Sequence, residues 1–287
     1  MTPEQYCQDK TAKSGSSFYY SFLFLPKTKR LAITALYAFC REVDDIADAE
    51  MDKHIKQIKL QWWRSEIESL YNGSAHHPVS QALVTPIKSF NLEKKYFLEI
   101  IAGMEMDLET VRFASFEDLN LYCYRVAGVV GLLAASIFGY KDPQTLEYAK
   151  KLGLALQLTN IIRDVYEDSL RNRLYLPLDE LEKFGVTEAD IFKRKNTEAF
   201  HSLIRFQAER AHKFYREAFD TLPLQDRYNQ KTGTIMAAIY ENTLNEMELD
   251  RLQVLQHKVV IPPLRKITIA LKTLLKEWWA FRKYKTP

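Results

Sequence analysis

Two stretches of this 287-residue chain place carboxylates one helical turn apart: Arg41-Glu42-Val43-Asp44-Asp45-Ile46-Ala47-Asp48, and Asn160-Ile161-Ile162-Arg163-Asp164-Val165-Tyr166-Glu167-Asp168. Residues i and i+4 share a helix face, so Asp44 and Asp48 point together, as do Asp164 and Asp168. Each face extends further. Tyr37, Arg41, Asp44 and Asp48 make one stripe; Gln157, Asn160, Asp164 and Asp168 make another. The same acidic spacing recurs at Glu105/Glu109 and Glu246/Asp250, and taken singly such a pair is more often a solvated face than a site. The first two pairs differ in context. They sit in apolar helical sequence, LAITALYAFC and LGLALQLTNII, which aims their polar residues at an interior cavity.

Aligned carboxylates repel one another, more so when partly buried, and a cation relieves the repulsion. With carboxylates as their donor groups, these aspartates suit a hard, oxygen-preferring ion. Magnesium, with manganese as its substitute, is held by one or two carboxylates plus substrate phosphates. Arg41, Arg163, Arg171 and Arg173 are placed to neutralise phosphate charge. Segment 126–138 (VAGVVGLLAASIF) is apolar on all faces, with Ala127, Gly128, Gly131, Ala134 and Ala135 allowing close approach of a helix or a long apolar ligand. Two acidic stripes facing each other at the mouth of such a cavity would hold a metal–diphosphate cluster.

Composition narrows the choice. Nine glycines and ten prolines are about 7% of the chain, against a usual ~12%. So few turn residues argue against a many-stranded β fold or a Gly-rich phosphate loop. Forty basic against 37 acidic residues give no case for nucleic acid. Three cysteines (Cys7, Cys40, Cys123), odd in number and widely spaced, argue against a disulfide framework or zinc site and for a reducing compartment. His76-His77 falls in a loop-like stretch, 72–78, and reads as solvated. The most apolar stretch, Val126–Phe138, is 13 residues, short of the ~20 needed to span a bilayer. The expected location is cytoplasmic.

Apolar residues recurring every three or four positions predict helices from Pro26 past Asp48, then over 52–71, 78–89, 93–109, 116–138, 143–168, 197–219, 228–257 and 264–283. Asn72-Gly73, Gly139, Pro177, Gly185, Pro223 and Pro262-Pro263 punctuate them. No repeat or polar linker divides the chain, so one all-α domain over 1–287 is the expectation.

These motifs resemble the head-to-head squalene and phytoene synthases. YAFCREVDDIAD (37–48) resembles the first aspartate-rich motif of that family, YCYRVAGVVG (122–131) its central signature, and LGLALQLTNIIRDVYEDSLRNRLYLP (152–177) its second signature. The resemblance implies an all-α isoprenoid-synthase helical bundle with a central apolar cavity for two prenyl diphosphates and Mg²⁺. It implies metal binding by Asp44, Asp48, Asp164 and Asp168, with Asn160 beside them. Tyr37, Tyr122, Asn160 and Tyr240 match residues at the reaction centre, and Arg41, Gln157, Arg163, Arg173 and Tyr175 match diphosphate contacts. SGSSFYYSFLFLP (14–26) resembles a serine-containing segment over one diphosphate, implicating Ser14, Ser16, Ser17 and Phe18. Gly15 stands where some relatives have serine, which leaves the contacting serine open. Arg265 loosely matches a C-terminal basic position.

The implied reaction is loss of diphosphate to give an allylic cation, attack on its carbon one by the second substrate's double bond, and proton loss closing a cyclopropane, with Tyr122 or released diphosphate as acceptor. Within the family the sequence most resembles bacterial presqualene diphosphate synthases of hopanoid pathways, which condense two farnesyl diphosphates without NADPH. Squalene or dehydrosqualene synthase, and phytoene synthase using geranylgeranyl diphosphate, are the alternatives. A non-catalytic assembly factor of the same fold is the alternative of a different class. Downstream isoprenoid enzymes are implied partners. Finally, residues 265–287 carry seven basic residues and one acid, with an apolar stripe of Ile267, Leu271, Leu274, Trp278 and Phe281 and with Trp279 beside it. Such a helix suits either peripheral contact with the inner face of a membrane or packing on the bundle.

Overall fold

The computed structural model describes residues 1–13, 21–22, 24–109 and 112–285, with only the backbone for 284 and 285. Among them every regular element is helical, and the single β contact is an isolated bridge between Arg112 and Leu174. The helices are α1 (Pro3–Lys13), α2 (Lys27–Asp48), α3 (Lys53–Tyr71), α4 (Pro78–Ser89), α5 (Lys94–Met106) and α6 (Phe116–Cys123). A π turn, Tyr124–Gly128, joins α6 to α7 (Val129–Phe138), and the 27-residue α8 (Gln144–Leu170) follows. Then come α9 (Leu178–Phe184), α10 (Glu188–Phe192), α11 (Glu198–Thr221), α12 (Leu224–Arg227), α13 (Lys231–Leu249) and α14 (Pro263–Lys285).

Side-chain oxygens start several of these helices by accepting from otherwise orphaned backbone N–H groups. Ser115 and Thr187 do so in capping boxes with Asp118 and Asp190, and Asp52 and Thr197 cap α3 and α11. Two apolar cores form. One packs α1–α5 and α7 around Phe39, Trp63, Ile67 and Phe97; the other packs α8, α11 and α13 around Tyr148, Phe200, Tyr215 and Ile235. A cavity lies between them, walled by α2 on one side and α8 on the other.

The wall made by the π turn and α7 approaches α8 at backbone distance. A Cβ at Gly131 would sit 2.4 Å from the Ala149 carbonyl oxygen, and one at Gly153 would sit 2.5 Å from that of Ala127. The span Phe116–Phe138 forms 23 residues of helix, apolar and long enough by composition to cross a bilayer. Half of its most apolar stretch is buried inside the protein, and Val126, Ala127, Val130, Gly131 and Ala134 face the cavity. Its apolarity is accounted for there.

Two expected helices end early. The one expected over 93–109 stops at Met106, which turns Asp107 into the cavity. The one expected to reach residue 257 stops at Leu249, where Arg251 and Leu252 adopt left-handed φ of 57° and 55°. The segment after it carries Lys258 back to the cavity mouth. The short helices α1, α9, α10 and α12 add to the expected set.

Candidate active site

Both acidic stripes open into one cavity of about 610 Å³. From α2 it receives Tyr37, Arg41, Asp44 and Asp48; from α8 it receives Gln157, Asn160, Arg163, Asp164 and Asp168; Arg173 and Tyr175 enter from the chain beyond α8. Tyr122 enters from α6 and Tyr240 from α13. Thus the helical spacing and the tertiary fold bring these candidates together from five parts of the chain. Ser14, Ser16, Ser17 and Phe18 lie outside the described residues.

Basic side chains hold most of the acidic groups. Arg41 donates to Asp44 and Asp45 on its own helix. Arg173 reaches across the mouth to Asp48 Oδ1 at 2.6 Å and to the Ala47 carbonyl at 3.1 Å, and Arg171 lies 3.4 Å from Asp48. Arg163 forks onto Asp164, with Nε 2.7 Å from Oδ1, while Lys258 Nζ lies 3.0 Å from Asp164 and 2.6 Å from Glu167. Lys258, rather than the expected Arg265, supplies the C-terminal cation at this mouth. Arg265 instead pairs with Glu246 at 2.6 Å.

Burial sets the charge state of the carboxyls. Asp168 is pushed up to about 7, by burial first and by the neighbouring Asp164 second. Burial likewise raises Asp44 to about 6 against the opposing pull of Arg41. Asp164 goes the other way: burial would raise it, but Arg163 and Lys258 outweigh burial and lower it.

Among the described residues, no three acidic, His or Cys side chains are gathered tightly enough to form a preformed metal cage. The donors nevertheless fit a hard divalent ion that substrate phosphates help to ligate. All are oxygens. Asn160 donates through Nδ2 to Gln157 at 3.2 Å, yet its buried Oδ1 has no hydrogen-bond partner. The raised Asp168 and Asp44 are the groups that a cation would relieve.

Asp107, unmarked in the sequence, is a further member. It accepts from Tyr175 Oη at 2.8 Å and from Tyr122 Oη at 3.0 Å, and the two rings lie 5.3 Å apart. Burial raises its carboxyl to about 6 even against these two donors. Both phenols are held well above their ordinary range, again by burial first. Nothing in MEMDLET signals this role, because Asp107 gains it only where α5 stops.

Below this polar mouth the walls become apolar. Phe138, Tyr148, Gln230, Thr232 and Gly233 line the far end. The Tyr148 hydroxyl and Thr232 Oγ1 are buried there without a hydrogen-bond partner.

Comparison with known proteins agrees with this architecture. A squalene/phytoene synthase family profile matches residues 11–265. The chain is 38% identical to a phytoene synthase of Arthrospira platensis, covering 91% of this chain and 89% of that protein. It is 33% identical to a 15-cis-phytoene synthase of Synechocystis sp., covering 91% and 81%. Among solved structures, a dehydrosqualene synthase in complex with ligand superposes with a TM-score of 0.86 at 29% identity, over 96% of both chains. Squalene synthase HpnC from Alicyclobacillus acidocaldarius superposes with a TM-score of 0.71 at 25% identity, over 96% and 94%. The helical bundle is therefore that of the isoprenoid synthases, and the chain belongs to the squalene/phytoene synthase family.

Proposed function

We propose that this prenyltransferase joins two molecules of geranylgeranyl diphosphate head to head to give phytoene. The length of α8 that lines the cavity is the observation that carries the choice of chain length. Along α8 the lining begins at Tyr148 and reaches the acidic mouth at Asp164 and Asp168, and the 16 residues from Tyr148 to Asp164 rise about 24 Å. At about 1.2 Å per bond of an extended chain, a C15 prenyl tail spans roughly 14 Å and a C20 tail roughly 19 Å. The longer tail fills the space left beneath a diphosphate at the mouth. The names of the two sequence relatives support the same product. They move the assignment from the presqualene diphosphate reading, drawn from sequence alone, to its phytoene alternative.

In this reading Asp44, Asp48, Asn160, Asp164 and Asp168 hold magnesium together with the substrate phosphates. Bound there, the ion supplies positive charge against which diphosphate departs. Arg41, Arg163, Arg173 and Lys258 exchange their carboxylate partners for phosphate oxygens, as planar or ammonium donors suited to either. Their charge stabilises the leaving group in a water-poor site, where preorganised donors act most strongly. The wall of Val126, Ala127, Val130 and Gly131 keeps water from the allylic cation while the second substrate's double bond attacks its carbon one. Proton loss then closes the cyclopropane. Departure of the second diphosphate, ring opening and loss of a second proton give the hydrocarbon with no hydride donor, so NADPH is not required. In this reading Tyr122, which lines the cavity with its phenol donating to Asp107, takes the departing proton on its oxygen while passing its own proton to Asp107.

The likeness to dehydrosqualene synthase favours a second reading, condensation of farnesyl diphosphate. Separate incubations with the C15 and C20 diphosphates and Mg²⁺, without NADPH, distinguish the two. The expected result is phytoene, with kcat/KM for the C20 substrate at least tenfold the higher. A preference for farnesyl diphosphate selects the second reading. Asp44→Ala and Asp164→Ala should each lower turnover about a thousandfold; absence of turnover in the unaltered protein would point instead to a non-catalytic role.

A further inference from the structure

The apolar stripe expected on the C-terminal helix proves to be two stripes. The inner one fixes how α14 sits on the bundle. Ala270 and Glu277 are buried, and Leu274, Trp278 and Phe281 are half-buried. Phe281 stacks on Tyr228 with centroids 4.4 Å apart, and Glu277 accepts from Arg227 Nε at 2.7 Å and Nη2 at 2.9 Å. With the helix so held, Leu264, Ile267, Leu271, Leu275 and Trp279 point outward, spaced three or four residues apart, with exposures of 80%, 40%, 46%, 57% and 59%. Five large apolar side chains in one row about 23 Å long are not the scattered exposure of an ordinary surface.

Charge says what covers them. Lys272, Lys276 and Lys283 are exposed on the same helix, and its sole acid, Glu277, is buried and neutralised by Arg227. A row of leucines ending in tryptophan and accompanied by lysines matches the interface of an anionic bilayer, where the aromatic ring sits among headgroups and each cation gains from the surface potential. We propose that the outer face of α14 docks on an anionic lipid surface. The helix begins just beyond Val260, which is 65% exposed and two residues from the Lys258 that pairs with Asp164. Docking therefore sets the cavity mouth beside the lipid that dissolves prenyl chains.

The test uses the full chain and reads vesicle partition, which is independent of turnover. Vesicles of phosphatidylcholine alone are compared with vesicles carrying phosphatidylglycerol at roughly one part in three. The protein should sediment with the anionic vesicles and not with the neutral ones, with a blue shift in tryptophan emission. Lys272→Gln/Lys276→Gln should weaken partition about fivefold per lysine. Leu271→Glu/Leu275→Glu should abolish it, while both variants keep the unaltered far-ultraviolet circular dichroism and melting temperature because these side chains face away from the bundle. Ile55, Ile58 and Trp62 on α3 are also exposed, and Ile58→Glu/Trp62→Glu should leave partition unchanged. Equal partition of the Leu271→Glu/Leu275→Glu variant, loss in the α3 variant, or no partition of the unaltered chain overturns the proposal. So does a dimer in light scattering that Leu271→Glu dissolves without any vesicle binding, which would assign the face to a second copy of this chain.

Discussion

At the scale of single residues, Asp107 offers the sharpest test of the site's electrostatics. Its folded carboxyl titrates at about 6, above the ordinary 3.8, because it is buried. In the folded protein it therefore keeps its proton where the unfolded chain has lost one, and stability falls as pH rises from about 4 to about 6. Asp107→Asn removes that penalty. The melting temperature of the variant relative to the unaltered protein should be higher at pH 7 than at pH 4.5. Activity should move the other way, falling between tenfold and a hundredfold, because the amide keeps one acceptor oxygen and turns an N–H toward the other phenol of the Tyr122–Tyr175 pair, the usual cost of removing a supporting partner. Of the residues gathered at this mouth, Asp44, Asp48, Asp164 and Asp168 were legible in the sequence because helical spacing displays them in pairs. Asp107 and Lys258 were not. Each follows the end of a helix and has no partner at i±3 or i±4 to betray its direction, so only the tertiary path of the chain brings it in.

At the scale of elements, periodicity was enough to place the long helices, because their buried faces alternate at three and four residues. It could not place the end of α13. Asp250-Arg251-Leu252 contains neither glycine nor proline, and the left-handed backbone at Arg251 and Leu252 is imposed by the packing of Leu252 and Val254 into the core. The double stripe of α14 was missed for a related reason: adjacent apolar positions such as Leu274 and Leu275 look like one broad face until the bundle takes half of it. The contact between α8 and the π turn depends on a missing side chain. A methyl at Gly153 would meet the Ala127 carbonyl carbon at 2.8 Å as well as its oxygen, both backbone atoms that cannot swing aside. Gly153→Ala gains about 1 kcal/mol of helix propensity but loses roughly 1–3 kcal/mol to overpacking. The expected outcome is a melting temperature lower by a few degrees, measured by calorimetry, with turnover reduced because Ala127 lines the cavity.

At the scale of the whole molecule, the bundle converts substrate length into a property of its depth. Ala134, on the wall of α7 one turn above Phe138, lies in the deep half of the cavity. Ala134→Phe should lower kcat/KM for geranylgeranyl diphosphate at least tenfold more than for farnesyl diphosphate, measured side by side. Cavity depth was not readable from the sequence, since no local pattern reports how far along α8 the lining runs below the acidic mouth. That is why the family was plain in its motifs while the product was not.

The arginine that bridges from beyond α8 to Asp48 has a consequence for the resting protein. Asp48, Asp44 and Asp164 already have internal counter-ions, so the mouth of the bundle is held together by its own ion pairs. Chelation with EDTA should leave the unfolding temperature within a degree or two of its value in magnesium, unlike small domains that collapse without their metal. Only when diphosphate and magnesium are added together should thermal resistance climb, since the lipid must then displace guanidinium groups from partners they already possess. The protein would thus idle as a robust shell and discriminate against stray cations that arrive without their anion.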